Sequence, residues 1–205
     1  LTHPYKYNEE LELRGIKCCV FNQFRPVWSA KMNNRDHRKI LVIDGHTAFT
    51  GGINLADEYI NEKEKYGRWK DSAVMLQGEG VWSFTVMFLS MWNYLTGNHM
   101  EDIDKYRPIP DEIADFHDEG VVVPFTDSPL DEEPVGENVY LNIINSAEEY
   151  VYITTPYLII DNEMQTALIL AAKSGVDVRI ITPHIPDKKA VFAVTRAHYR
   201  KLLRY

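Results

Sequence analysis

The feature that most constrains this chain is residues 33–45, where a polar run leads directly into an apolar stretch that ends in Asp-Gly. Ile40–Ile43 followed by Asp44-Gly45 predicts a short strand that closes in a turn. Successive side chains of a strand alternate between its faces, so His37 and Lys39 should project to one side, roughly 7 Å apart, and Arg38 to the other. The segment therefore predicts an imidazole and an ammonium group that face one point in space.

Such a pair suits phosphoryl chemistry. A neutral imidazole can attack phosphorus, while a fixed ammonium group stabilises the negative charge that develops on the non-bridging oxygens. Gly51-Gly52-Ile53-Asn54 follows shortly afterwards, and its two glycines would let the backbone turn sharply and bring the Asn54 amide near the same site. We expect Lys39 and Asn54 to form a clamp for phosphate oxygens.

The pair belongs to a longer pattern. A lone His-x-Lys is common at strand ends, where it usually has no chemical role. Here the spacing His-x-Lys, four residues, Asp44 and then Gly-Gly-x-Asn resembles the HKD signature of the phospholipase D superfamily. The wider run of residues 35–45, continued by residues 49–55 and Asp57-Glu58-Tyr59, resembles bacterial cardiolipin synthases. This resemblance implies a two-lobed fold in which each lobe supplies one signature to a shared site.

The resemblance also implies roles for individual residues. His37 would attack the phosphodiester of phosphatidylglycerol and expel glycerol, and a second phosphatidylglycerol would attack the phosphatidyl-histidine to give cardiolipin. Asp71 corresponds to an acidic residue that accepts a hydrogen bond from the histidine, which selects its tautomer and stabilises its positive charge. Asp44 has the opposite strand parity from His37, so we interpret it as a supporting carboxylate rather than a proton carrier. We expect no metal ion and no cofactor, because histidine, lysine and asparagine side chains supply the positive field.

Two other functions fit the same residues. A phospholipase D-type phosphodiester hydrolase would let water resolve the intermediate, and the signature alone does not separate transfer from hydrolysis, although the surrounding motifs favour the synthase. The second HKD signature of the cardiolipin synthase pattern would come just past Tyr205. We therefore expect this chain alone to be inactive, or to be a catalytically incomplete module that binds phospholipid head groups. A homodimer that pairs two copies of His37 is less favoured, since residues after Gly120 resemble the start of a different lobe.

Alternating apolar strands and helical segments predict an α/β fold with a mixed, largely parallel sheet flanked by helices. Residues 1–97 would form the signature-bearing part of a first phospholipase D-like lobe, residues 98–119 an acidic connection, and residues 120–205 the opening part of a second lobe. The predicted strands are residues 16–21, 40–43, 68–76, 121–125, 150–155 and 176–182. The predicted helices are a segment ending at Gly15 and residues 55–65, 79–96, 137–149, 162–174 and 188–203.

The composition of the chain restricts which binding partners and which cellular location it fits. The chain has 22 basic and 30 acidic residues, and 22 − 30 gives a net charge of −8, which argues against a nucleic-acid partner. The expected partners are phosphatidylglycerol, a membrane surface and the missing second-lobe segment with its HKD signature. No apolar run approaches the length of a transmembrane helix, so the bacterial cell membrane is an expectation about the parent protein. The adjacent cysteines Cys18 and Cys19 lack the spacing of a metal site and indicate a reducing compartment.

Overall fold

The computed structural model describes residues 6–22, 36–97, 102–108, 120–127 and 132–205. The chain divides into two compact units, Leu1–Lys63 with Trp69–Phe125 and Glu64–Arg68 with Thr126–Tyr205. Residues 33–35 at the start of the signature segment and most of the predicted connection at 98–119 lie outside the described residues.

The first unit is built on a small antiparallel sheet. Its elements are α1 (Tyr7–Leu13), β1 (Ile40–Ile43), β2 (Thr47–Gly51), β3 (Ala73–Gln77), α2 (Val81–Thr96) and a short 3-10 helix (Asp104–Tyr106). The strand order is β1-β2-β3, with Leu41 opposite Phe49 and Phe49 opposite Met75. Because β1 begins at Ile40, the signature residues His37 and Lys39 stand immediately before the sheet.

A tight turn of residues 44–46 joins β1 to β2 and requires glycine. Asp44 has a φ of 50° and Gly45 a φ of 74°, in the left-handed region that glycine adopts without steric cost. A Cβ atom at Gly45 would lie 2.6 Å from the carbonyl oxygen of Tyr106. The turn therefore packs directly on the backbone of the 3-10 helix.

Helix α2 packs against β1 and β2 and forms the core of the first unit. Ala48 and Val81 are fully buried there, and the buried Thr85 hydroxyl donates a hydrogen bond to the Val81 carbonyl oxygen at 3.3 Å. The opposite face of the sheet leaves Leu41 55% and Met75 56% exposed. Apolar burial is thus concentrated on the side that carries α2.

The second unit alternates helices and strands. Its elements are α3 (Val135–Asn145), β4 (Tyr150–Thr154), α4 (Asn162–Lys173), β5 (Asp177–Ile181) and α5 (Lys189–Leu202). Strands β4 and β5 are parallel, with Val151 opposite Val178, and α4 is the crossover that a parallel pair needs. The side chain of Asp161 caps α4 by accepting a hydrogen bond from the Met164 N–H at 2.8 Å. The buried core of this unit consists of Ile144, Val151, Ala167, Leu168, Ala171 and Val176.

The α/β class is confirmed, but the sheets are small and the first one is antiparallel rather than parallel. The short turn at 44–46 joins neighbouring strands directly, which forces the antiparallel arrangement. The predicted helix at 55–65 is wrong: this segment forms turns, with Asn61 at a φ of 60°. Residues 16–21 and 121–125 are described but form no strand. Among the described residues, none of the helices combines the length and apolar character needed to cross a bilayer.

Candidate active site

His37 and Lys39 lie in the segment immediately before β1, and their side chains are in contact. The Lys39 Nζ atom is 3.0 Å from Nδ1 and 3.2 Å from Nε2 of the His37 ring. It also donates a hydrogen bond to the His37 carbonyl oxygen at 2.7 Å. The structure therefore brings together the imidazole and the ammonium group that the two-residue spacing predicts on one side of the chain.

The contact has a chemical meaning because an ammonium group can only donate hydrogen bonds. The ring nitrogen that accepts from Lys39 must therefore carry a lone pair, as a nucleophile does. Partial burial lowers the pKa of Lys39, and the carboxylates of Asp36 and Asp71 oppose this effect. Burial of Lys39 thus favours its neutral form, whereas the two carboxylates favour the ammonium form beside the imidazole.

Asp36 and Arg38 form a second pair that alternates with the first. The Arg38 Nη2 atom is 2.7 Å from Asp36 Oδ2, and its Nε atom is 2.9 Å from Oδ1. The hydrogen bonds from Arg38 lower the pKa of Asp36, and the same pair raises the pKa of Arg38. Asp36 was not among the predicted site residues, although the alternation Asp-His-Arg-Lys, with an acid and a base two residues apart, was an available signal.

Asp71 lies just before β3 and packs against the glycine pair that ends β2. A Cβ atom at Gly52 would lie 2.3 Å from Asp71 Oδ1, so glycine leaves room for the carboxylate. Asp71 accepts hydrogen bonds from the Trp69 Nε1–H at 3.2 Å and from its neighbour Ser72 N–H at 2.8 Å. The predicted hydrogen bond between Asp71 and His37 is not formed in the described structure, where the His37 ring contacts Lys39 instead. The orienting role of Asp71 stays a prediction.

Asn54 is held by Tyr59, whose ring packs on that of Trp69. Its amide Nδ2 donates to the Tyr59 hydroxyl at 2.5 Å, and the Tyr59 ring lies 4.7 Å from the Trp69 ring. The Asn61 side chain pairs with the backbone of Trp69 at 2.6 and 3.0 Å. Tyr59 and Trp69 therefore connect Asn54 to Asp71. No spacing rule in the sequence points to the contact between Tyr59 and Trp69, on which this connection depends.

Asp44 lies at the other end of β1 from His37 and Lys39. A strand rises about 3.3 Å per residue, so the five steps from Lys39 amount to roughly 16 Å. Asp44 lines a cavity of about 880 Å³ between β1, α2 and residues 105–108, which we call the β1–α2 cavity. The five predicted site residues thus fall into three groups: His37 with Lys39, Asn54 and Asp71 joined through the aromatic pair, and Asp44 alone at the far end.

One group of carboxylates among the described residues is close enough to hold a metal ion. Glu137, Asp161 and Glu163 of the second unit place an oxygen each within 4.8 Å of one another. A hydrogen bond with Asp161 raises the pKa of Glu137.

The second unit matches a known protein family. The family described as "Cardiolipin synthase, PLD-like domain" matches residues 140–205, from within α3 to the end of the chain. The match lies outside the segment that carries His37 and Lys39. It therefore supports a phospholipase D-like assignment independently of the signature.

Individual relatives are similar over nearly the whole chain. An uncharacterized protein of Streptococcus mutans is 54% identical over 98% of this chain and 43% of its own length. The cardiolipin synthase of Geobacillus kaustophilus is 36% identical over 96% of this chain and 39% of its own length. Cardiolipin synthase 2 of Bacillus cereus is 36% identical over 96% of this chain and 38% of its own length. The chain spans about two fifths of the length of these relatives.

The family match covers much of the second unit, and the α/β architecture of both units is consistent with a phospholipase D-like domain. Over nearly its whole length, the chain is similar to bacterial proteins named cardiolipin synthases.

Proposed function

We propose that the protein to which this chain belongs is a phosphatidyltransferase that joins two phosphatidylglycerol molecules into cardiolipin and releases glycerol. One observation carries the proposal: the Lys39 ammonium nitrogen lies 3.0 Å from a ring nitrogen of His37. This contact pairs a nucleophile with a ligand for phosphate oxygens. It occurs in a chain 36% identical to proteins named cardiolipin synthases.

In the first step, the lone pair of a His37 ring nitrogen forms a bond to phosphorus, and the bond from phosphorus to the glycerol oxygen breaks. The leaving oxygen keeps the electron pair and takes a proton from a general acid. Lys39 and Asn54 stabilise the charge on the phosphorane oxygens. Asp71 orients the imidazole and stabilises its positive charge.

In the second step, the hydroxyl of another phosphatidylglycerol attacks phosphorus, and the phosphorus–nitrogen bond breaks to return His37 to its neutral form. The group that donated the proton in the first step accepts one here. We assign that group to the histidine of a second HKD signature, supplied by a second-lobe segment. The complete protein would then have two lobes with layered, largely parallel sheets and would work at the bacterial cell membrane.

The test is transphosphatidylation of phosphatidylglycerol in mixed micelles that contain a chelator. It compares this chain, a longer form that continues past Tyr205, and the His37→Ala variant of each. His46→Ala is the matched control, because His46 lies in the β1–β2 turn and contacts Thr47. We expect cardiolipin from the longer form and from its His46→Ala variant, and none after His37→Ala.

The products separate the alternatives. Phosphatidic acid in place of cardiolipin would show that water resolves the intermediate, as in a hydrolase. His37-dependent turnover by the short chain would point to a site shared between two copies. Lipid turnover by none of the forms would refute catalysis and leave head-group binding as the function.

A further inference from the structure

The β1–α2 cavity lies within the first unit, at the opposite end of β1 from His37. Its apolar wall is formed by Phe88, Leu89 and Trp92 of α2 and by Ile40 and Val42 of β1. The rings of Phe88 and Trp92 stack 6.0 Å apart. Its volume of about 880 Å³ falls within the range of pockets that bury small ligands.

The remaining wall of this cavity is cationic. Lys17, Lys105 and Arg107 line it, against the single carboxylate of Asp44. Arg107 is engaged by Asp104 at 2.6 Å and lies over the Trp82 ring at 4.2 Å. Among the described residues, neither Lys17 nor Lys105 forms an ion pair with a carboxylate.

This local excess of positive charge occurs in a chain whose net charge is −8. An apolar wall alone would suit a neutral hydrophobic ligand. Among the described residues, the two lysines have no carboxylate partner, although Lys105 Nζ lies 5.1 Å from the centre of the Tyr106 ring, and such lysines alone would suit a small anion. Both features line one cavity here, so its complement is a molecule with an acyl chain at one end and a negative charge at the other.

We propose that the β1–α2 cavity binds one molecule of a single-chain anionic phospholipid, with its acyl chain against Phe88, Leu89 and Trp92 and its phosphate at Lys17 and Lys105. The site is separate from the proposed phosphatidyl transfer, because it neither includes His37 nor needs a covalent step. It gives the chain a lipid contact that does not depend on the second signature.

The test uses Trp92 as a built-in reporter. Lysophosphatidylglycerol with a brominated acyl chain is titrated, below its micellar concentration, into this chain while tryptophan fluorescence is measured. We expect saturable quenching that is lost in Trp92→Phe, whereas a variant that keeps the quenching would show that the acyl chain binds elsewhere. Lysophosphatidylcholine with the same chain should bind more weakly, and equal affinity for the two lipids would refute selection by charge.

Lysine variants test the position of the phosphate. Lys17→Gln and Lys105→Gln should each weaken binding of lysophosphatidylglycerol about twofold to fivefold, and Lys17→Arg and Lys105→Arg should restore it. Lys189→Gln, in the second unit, is the matched control. Unchanged binding in the double Lys→Gln variant would overturn the proposal. His37→Ala should bind normally, so failure of this site and failure of the proposed transferase are distinguishable.

Discussion

Gly52→Ala is a single-methyl change that displaces a carboxylate of the candidate active site. The added Cβ atom would stand 2.3 Å from Asp71 Oδ1, whereas ordinary contact begins at 3.4 Å. The oxygen must therefore move by about 1.1 Å, the difference between these two distances. The φ angle of Gly52 is not positive. The substitution therefore acts through this contact and not through backbone strain.

A displacement of about 1 Å in a catalytic arrangement can cost about 100-fold in rate. We expect a loss of that order in cardiolipin formation when Gly52→Ala is placed in the longer form used to test the proposed function. On the short chain the readout is the titration of Lys39 by nuclear magnetic resonance. Its pKa should fall further, because moving the negative charge of Asp71 away removes part of what opposes the effect of burial.

Gly120→Ala is the matched control, since among the described residues other than its chain neighbours no heavy atom lies within 4 Å of a Cβ at that position. In an Asp71→Ala background, Gly52→Ala should have no further effect, because the carboxylate that it displaces is already absent. Equal activity of Gly52→Ala and Gly120→Ala, or additive losses in the double variant, would refute a role for Asp71.

Three further changes test the fold. Leu168→Ala, at a side chain 2% exposed, should lower the free energy of unfolding in urea by about 2–5 kcal/mol, whereas Leu170→Ala, 54% exposed, should change it by less than about 1 kcal/mol. Gly45→Ala should lower the free energy of unfolding by about 1–3 kcal/mol because of its positive φ alone. The carbonyl oxygen 2.6 Å from the new Cβ adds a further cost. Thermal unfolding of the variant measures both effects together. Arg38 lowers the pKa of Asp36, so this carboxylate contributes stability that is lost as the pH falls below its ordinary pKa of 3.8. The difference in free energy of unfolding between the unsubstituted chain and Asp36→Asn should therefore become smaller as the pH falls below 3.8. Acid unfolding followed by circular dichroism measures this difference.

Elements specified by local signals were predictable from the sequence. The helix predicted at 79–96 with a stop at Gly97 is observed as Val81–Thr96, and Gly97 has a φ of 66°. The strand Ile40–Ile43 and its turn at Asp44-Gly45 also follow from adjacent residues. In these cases the residues that determine the structure lie within the element or next to it.

Elements that depend on distant partners were not predictable. Residues 55–65 have helical character, but Asn61 takes a positive φ and its side chain pairs with the backbone of Trp69, eight residues away. Residues 16–21 are apolar enough for a strand, yet a strand forms only where another one pairs with it, and Val20 is half exposed. The composition of a segment indicates which secondary structure it can form, whereas the residues that it contacts determine which one it does form.

The same division applies to the candidate site. His37 and Lys39 are two residues apart, so strand alternation was enough to predict that both side chains project to one side. It gave a separation of roughly 7 Å and did not predict their direct contact. Asn54 and Asp71 are joined through the ring contact between Tyr59 and Trp69, which forms only after the chain has turned. A resemblance to a family indicates which residues take part, but it does not specify the hydrogen bonds that each residue makes in this chain.

The contact between Lys39 and His37 also has a kinetic consequence. Lys39 can release the imidazole while it keeps its hydrogen bond to the His37 carbonyl oxygen, so the change requires only rotation about side-chain bonds. Such rotations take on the order of nanoseconds or less, whereas typical enzymes turn over about ten times per second. In the proposed transferase, the exchange of His37 for a phosphate oxygen would therefore be a rapid pre-equilibrium. The free energy that this exchange requires should raise KM, whereas kcat should report the slower steps that follow.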